Sequence, residues 1–156
     1  ESALGLTKSI GDLAGACLFA TTMGISRMLY GKFGEKIDLI KFMLISGVIC
    51  VVSYLLAGLS AMPIWGLVGC VMCGFSVGIM WPGSISITAP RIPKGGTALF
   101  ALLAMAGDMG GAFGPSVVGY FSQHAGDNLQ AGLLTGCIFP LIMLATLIAM
   151  KKIIEK

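Results

Sequence analysis

Residues Phe42 to Pro90 read FMLISGVICVVSYLLAGLSAMPIWGLVGCVMCGFSVGIMWPGSISITAP, a stretch without a single Asp, Glu, Lys or Arg. A helix that crosses the hydrocarbon core of a bilayer needs about 20 predominantly apolar residues, so this run holds two crossings. Ser60-Ala61-Met62-Pro63 supplies the turn between them. A second charge-free run, Asn128 to Met150, holds one more. Outward from these, apolar runs set against their punctuation predict five helices near residues 10–30, 40–59, 64–88, 97–121 and 132–150. The connections GKFGEKID, SAMP, PRIPKGG and SQHAGDNLQ mix Gly, Pro, Asn and charge, as turns do. The expected fold is an all-α, polytopic transmembrane helix bundle of five spans, with the lipid bilayer as its solvent.

Composition agrees. Of 156 residues, 56% are hydrophobic and 11% charged, against about a quarter charged in soluble domains. Disorder, a collagen repeat and a secreted disulfide scaffold are excluded. The net charge of +3 would suit nucleic acid, but the basic residues gather at helix ends, so no nucleic-acid partner is expected. Arg27, Lys32, Lys36 and Lys41 flank the first connection, Arg91 and Lys94 the third, and Lys151, Lys152 and Lys156 follow the last helix. The positive-inside rule makes their side cytoplasmic, which puts the C-terminus inside the cell membrane and the N-terminus outside. Trp65, Tyr30 and Phe33 stand where an interfacial aromatic belt would be. Opening on Glu1, with an odd number of spans, the chain is expected to be a fragment or a processed product.

Few polar groups lie at bilayer depth. Asp108 falls near the middle of the fourth span, where an ionised carboxylate costs several kcal/mol unless it faces water or a partner. Ala104, Gly111 and Pro115 share its helical face, leaving room for a neighbour or a polar cavity. It reads either as a proton-coupling or substrate-binding carboxylate or as an interhelical hydrogen bond. Asp12, one turn after Lys8 near the outer end of the first span, reads first as an interfacial ion pair and second as part of an outward vestibule. Trp81-Pro82-Gly83 interrupts the third span, because proline removes a backbone donor and clashes with the preceding turn. Trp81 there reads as core packing or a lipid contact, or as a platform for a flat substrate. Pro115 raises the same question of a helix break in the fourth span, as does Pro140 in the fifth.

Glycines four apart recur at Gly11 and Gly15, Gly74 and Gly78, Gly107 and Gly111, Gly110 and Gly114, and Gly132 and Gly136, a spacing that lets helices pack closely in lipid. The cysteines Cys17, Cys50, Cys70, Cys73 and Cys137 lie in apolar stretches and read as small buried hydrophobes. Cys70 and Cys73 have redox spacing but no strand or second pair beside them, so neither a metal nor a cofactor is expected.

Arg27 to Lys36, RMLYGKFGEK, resembles the G-x-x-x-D-R-x-G-R-K loop of the major facilitator superfamily in the degenerate form of its C-terminal half. Lys32, Gly34 and Lys36 match; Arg27 stands for the opening Gly, Gly31 for the Asp and Glu35 for the inner basic residue, so the charge relay of that Asp does not carry over. A basic loop, two apolar spans, GFSVGIMWPG, a second basic connection, GDMGGAFGP and a last span follow in the order of helices eight to twelve of a twelve-helix transporter. Trp81-Pro82 and Gly110 to Pro115 are similar to helices ten and eleven of the sugar-permease branch. The resemblance implies a secondary transporter that moves a small solute by alternating access. It further implies a missing N-terminal half, a coupling proton or ion, and a cytoplasmic gating loop of Arg27, Lys32, Gly34, Glu35 and Lys36. An enzyme is not expected: Met105-Ala106-Gly107-Asp108 lacks the first glycine of the G-x-G-D element of intramembrane aspartyl proteases, and Asp12 lies at a different depth. The alternatives are such a protease, disfavoured on those grounds, and a non-transporting membrane scaffold or receptor.

Overall fold

A 21-residue helix is about 31 Å long, close to the thickness of the hydrocarbon core, and the first half of the charge-free run forms a helix of that length. The computed structural model describes residues 8–34, 37–60 and 62–154. Helix α1 is Lys8–Phe33 and α2 is Leu39–Leu59. The third span is two helices, α3 (Pro63–Val77) and α4 (Met80–Thr88), closed by a 3-10 turn at Ala89–Arg91. The fourth is the single helix α5 (Gly96–His124). The fifth is again divided, into α6 (Leu129–Gly136) and α7 (Ile138–Ile154). Five stretches are thus long and apolar enough to cross a membrane, and the described residues contain no strand.

Asp38 caps α2, accepting from the Lys41 backbone N–H at 3.2 Å, and its carboxylate pairs with the Lys41 ammonium at 3.1 Å. These contacts, the backbone N–H foremost, hold the Asp38 carboxyl below its ordinary range. Pro63 opens α3 at a position whose N–H would lack a partner anyway. Asn128 caps α6 by accepting from the Gln130 backbone at 3.0 Å, while Gln130 Nε2 donates to the Ser60 carbonyl at the end of α2.

Three expectations are corrected. The third span is not interrupted at Pro82 and Gly83, which lie inside α4; its hydrogen-bond ladder is interrupted one turn earlier, at Gly78 and Ile79, where the backbone keeps right-handed helical angles. Proline at position 82 has no N–H for the carbonyl four residues back, and that carbonyl is Gly78's. Pro115 does not break its span at all, since α5 runs through it. Arg27 to Phe33 is not a loop but the last turns of α1, because nothing before Gly34 interrupts the helical pattern.

Helix α2 is the centre of the bundle, packed by α3, α4, α6 and α7, while α1 lies on α3 and α5 on α6. At one end Met43, Ile87 and Leu147 form a buried core with Leu39, Ile40 and Met150 around it. That cluster joins the start of α2 to the ends of α4 and α7, so the alternating spans gather Lys41, Arg91, Lys151 and Lys152 at the same end. Two buried serines satisfy their hydroxyls within their own helices, Ser53 donating to the Ile49 carbonyl at 2.7 Å and Ser76 to that of Cys73 at 2.9 Å.

The glycine pairs divide into two kinds. Gly74 and Gly78 meet the α1 backbone, and Gly132 and Gly136 meet α5 and Tyr54. Gly15, Gly110, Gly111 and Gly114, by contrast, have nothing within 4 Å of where a Cβ would stand; Gly11 lies outside the residues whose side-chain surroundings are described. Tight packing therefore explains only part of the glycine. A Cβ at Gly132 would lie 2.5 Å from the Val118 carbonyl oxygen. Gly132→Ala should cost about 1–3 kcal/mol as the helices are forced apart, whereas Gly111→Ala should leave the thermal midpoint of the detergent-solubilised full-length protein unchanged or slightly raised. Equal midpoints for both variants would contradict this packing.

Candidate functional site

The open glycines of α5 border space. Gly110, Gly114, Pro115 and Val118 form one wall of a cavity of about 430 Å³, with Tyr54 of α2, Leu133 of α6 and Phe139 of α7 opposite. A second cavity of about 220 Å³ shares Tyr54 and Phe139 and reaches Val77 and Met80 at the break of the third span. The two aromatic residues therefore stand between two chambers whose linings contain no charged side chain. Such a lining accommodates apolar and aromatic groups, with the Tyr54 phenol as its principal polar handle.

Trp81 sits at the edge of this region. A Cβ on Gly107 would lie 3.0 Å from Trp81 Cζ3, so the indole reaches the α5 backbone where glycine leaves room. One position on, about 100° around the helix, is Asp108. It is exposed, as is most of α5, and among the described residues it makes no hydrogen bond or ion pair. The structure thus brings Trp81 to the residue beside Asp108, while Asp108 lines neither cavity. Asp12 lies on α1 near its start, and its side chain falls outside the described residues.

The expected gating loop is divided. Arg27, on α1, donates through Nε to the Gly78 carbonyl at 3.3 Å, the carbonyl that Pro82 leaves unpaired. Beside it Ser26 is 2% exposed, and its Oγ has no partner. Lys32 stands over the Phe33 ring at 5.6 Å, and Gly34 is covered by the Tyr30 ring. Glu35 and Lys36 lie outside the described residues.

Sequence reasoning missed Tyr54 and Phe139. Their positions depend on how α2, α5 and α7 align, and the one available signal was that Tyr54 is the only tyrosine of the charge-free run. It also missed a contact between Cys50 Sγ and Cys73 Sγ, 4.0 Å apart across α2 and α3.

A family model described as Major Facilitator Superfamily matches residues 1–153. The chain is 28% identical over 160 residues to proteins named multi-drug resistance efflux pump PmrA from Streptococcus pneumoniae serotype 4 strain TIGR4 and from strain R6. In each case the match covers 96% of this chain and 40% of the relative, so the chain spans less than half the length of the proteins it resembles. No solved structure gives a significant match.

Proposed function

The chain belongs to the Major Facilitator Superfamily, and from that premise we propose that it forms helices eight to twelve, in the C-terminal half, of a twelve-helix secondary transporter of the cytoplasmic membrane. Its C-terminus lies inside the cell and its first residues outside, an orientation supported by the basic residues gathered at one end of the bundle. The transporter exports small, predominantly apolar solutes by alternating access, without making or breaking a bond in them. The observation that carries this reading is the uncharged double chamber around Tyr54 and Phe139, bordered by a helix face that glycine keeps open. The efflux pumps among its relatives support the same solute class. A sugar-permease reading would use Trp81 as a free stacking platform, but the indole edge already rests on Gly107, which favours export.

Asp108 is the proton-coupling group in this reading, on a surface of α5 left open toward the N-terminal half. Trp81 lines the path between the halves, and Asp12 belongs to the outer vestibule. Arg27, Lys32, Gly34, Glu35 and Lys36 form the cytoplasmic gate.

The experiment is transport by the full-length protein in inside-out membrane vesicles with an acidic lumen. A lipophilic fluorescent cation should accumulate with saturable kinetics, and a protonophore should release it. Flux equal to that of vesicles lacking the protein would overturn the proposal.

A further inference from the structure

Cys50 and Cys73 have no part in the proposed transport step, although Cys50 borders the smaller chamber. They face each other across the α2–α3 contact, about one turn from Gly69, where a Cβ would lie 2.9 Å from the Ser53 carbonyl oxygen. Their sulfurs are 4.0 Å apart and unoxidised, and Cys50 is only 6% exposed. The pair has room on both sides, since Cys73 borders a cavity of about 180 Å³ and Cys50 the 220 Å³ chamber.

We propose that Cys50 and Cys73 form a two-sulfur binding site for a soft, thiophilic divalent cation of the mercuric class. Thiolate is the soft ligand among protein side chains and selects soft metals. Two metal–sulfur bonds of about 2.3 Å in a line place the sulfurs about 4.6 Å apart, so the observed pair needs to open by only a fraction of an ångström. A four-coordinate ion such as zinc is not served, because no three His, Cys, Asp or Glu side chains converge among the described residues. Charge adds a further selection, for a divalent over a monovalent soft ion. A divalent ion held by two thiolates is a neutral unit, the form that a dry helix interface accepts without the cost of burying an ion. Binding replaces two S–H bonds with two S–metal bonds, releases two protons to solvent and moves no electrons. It ties α2 to α3 beside the chamber that Tyr54 lines.

The test uses the purified full-length protein in detergent with mercuric ion as probe. The first equivalent should give a sulfur-to-metal charge-transfer band in the near ultraviolet. X-ray absorption should report two sulfur neighbours, and peptide mapping of the wild type should find Cys50 and Cys73 protected together from alkylation. Cys50→Ser or Cys73→Ser should weaken that first site by at least the roughly 10–100-fold that loss of a mere outer-shell partner costs a metal site, while Cys17→Ser and Cys70→Ser leave it intact. Protection of other cysteines by the first equivalent would overturn the proposal. So would a first site that survives both Cys50→Ser and Cys73→Ser, or the finding that the two thiols are already joined as a disulfide. Because the mapping is done on the unmutated protein, a misfolded variant does not remove the test.

Discussion

On the proposed transport reading, exchanging Asp108 for Asn should turn uphill export into passive exchange. The side chain sits near the middle of a 29-residue span, exposed and without a partner among the described residues. A lone carboxylate at that depth costs several kcal/mol in hydrocarbon, so in the whole transporter its surface belongs against water or a second body. Asparagine has nearly the same shape and still donates and accepts hydrogen bonds, but it does not titrate. A structural contact therefore survives the exchange, and a proton-coupling step does not. In vesicles at matched protein levels, proton-driven accumulation of solute should fall to equality across the membrane while solute counterflow persists. Undiminished accumulation would assign Asp108 to packing, and parallel loss of assembly and counterflow would assign it to the fold.

The five spans were legible because charge is so costly in lipid that its absence from Phe42 to Pro90 speaks alone. The breaks were legible in kind and misplaced in position. Proline acts on the carbonyl four residues back, so Pro82 and Pro140 point to Gly78 and Gly136, which is where the two divided spans separate. Both glycines are wedged against neighbours, Gly78 against α1 and Gly136 against Tyr54 and Val118. Pro115 frees the carbonyl of Gly111, which has open space beside it, and α5 keeps its course. What proline does to a span thus depends on whether the freed turn is gripped by another helix, and that is tertiary information. Asp108 was visible as a charge out of place, whereas Tyr54, Phe139 and the Cys50–Cys73 contact arise from helix alignment that no local pattern encodes.

The Arg27–Gly78 contact gives the second large expected effect, and it is best read with Pro82. Within the bilayer a backbone carbonyl without a donor is expensive, and Pro82 creates one at Gly78 by lacking an N–H. Arg27 answers it from α1 with a charged donor at 3.3 Å. Arg27→Ala should therefore destabilise the full-length protein by about 1–3 kcal/mol, the cost of leaving a buried acceptor unpaired. It should also cut transport sharply, since the α3–α4 break borders the smaller chamber through Val77 and Met80. Pro82→Ala restores an N–H four residues after Gly78, so the span can close its own bond and no longer needs the guanidinium. The two substitutions should then be strongly non-additive: in the Pro82→Ala background, Arg27→Ala should cost little, with a coupling of about 1–2 kcal/mol in thermal unfolding. Transport provides an independent readout. If flexibility at Gly78 and Ile79 serves the alternating movement, the double variant should be stable yet slow, because closing the helix removes the joint along with the need to hold it. Additive losses of stability would show that Arg27 acts elsewhere, and a double variant with full transport would show that the break in the third span is a matter of packing alone.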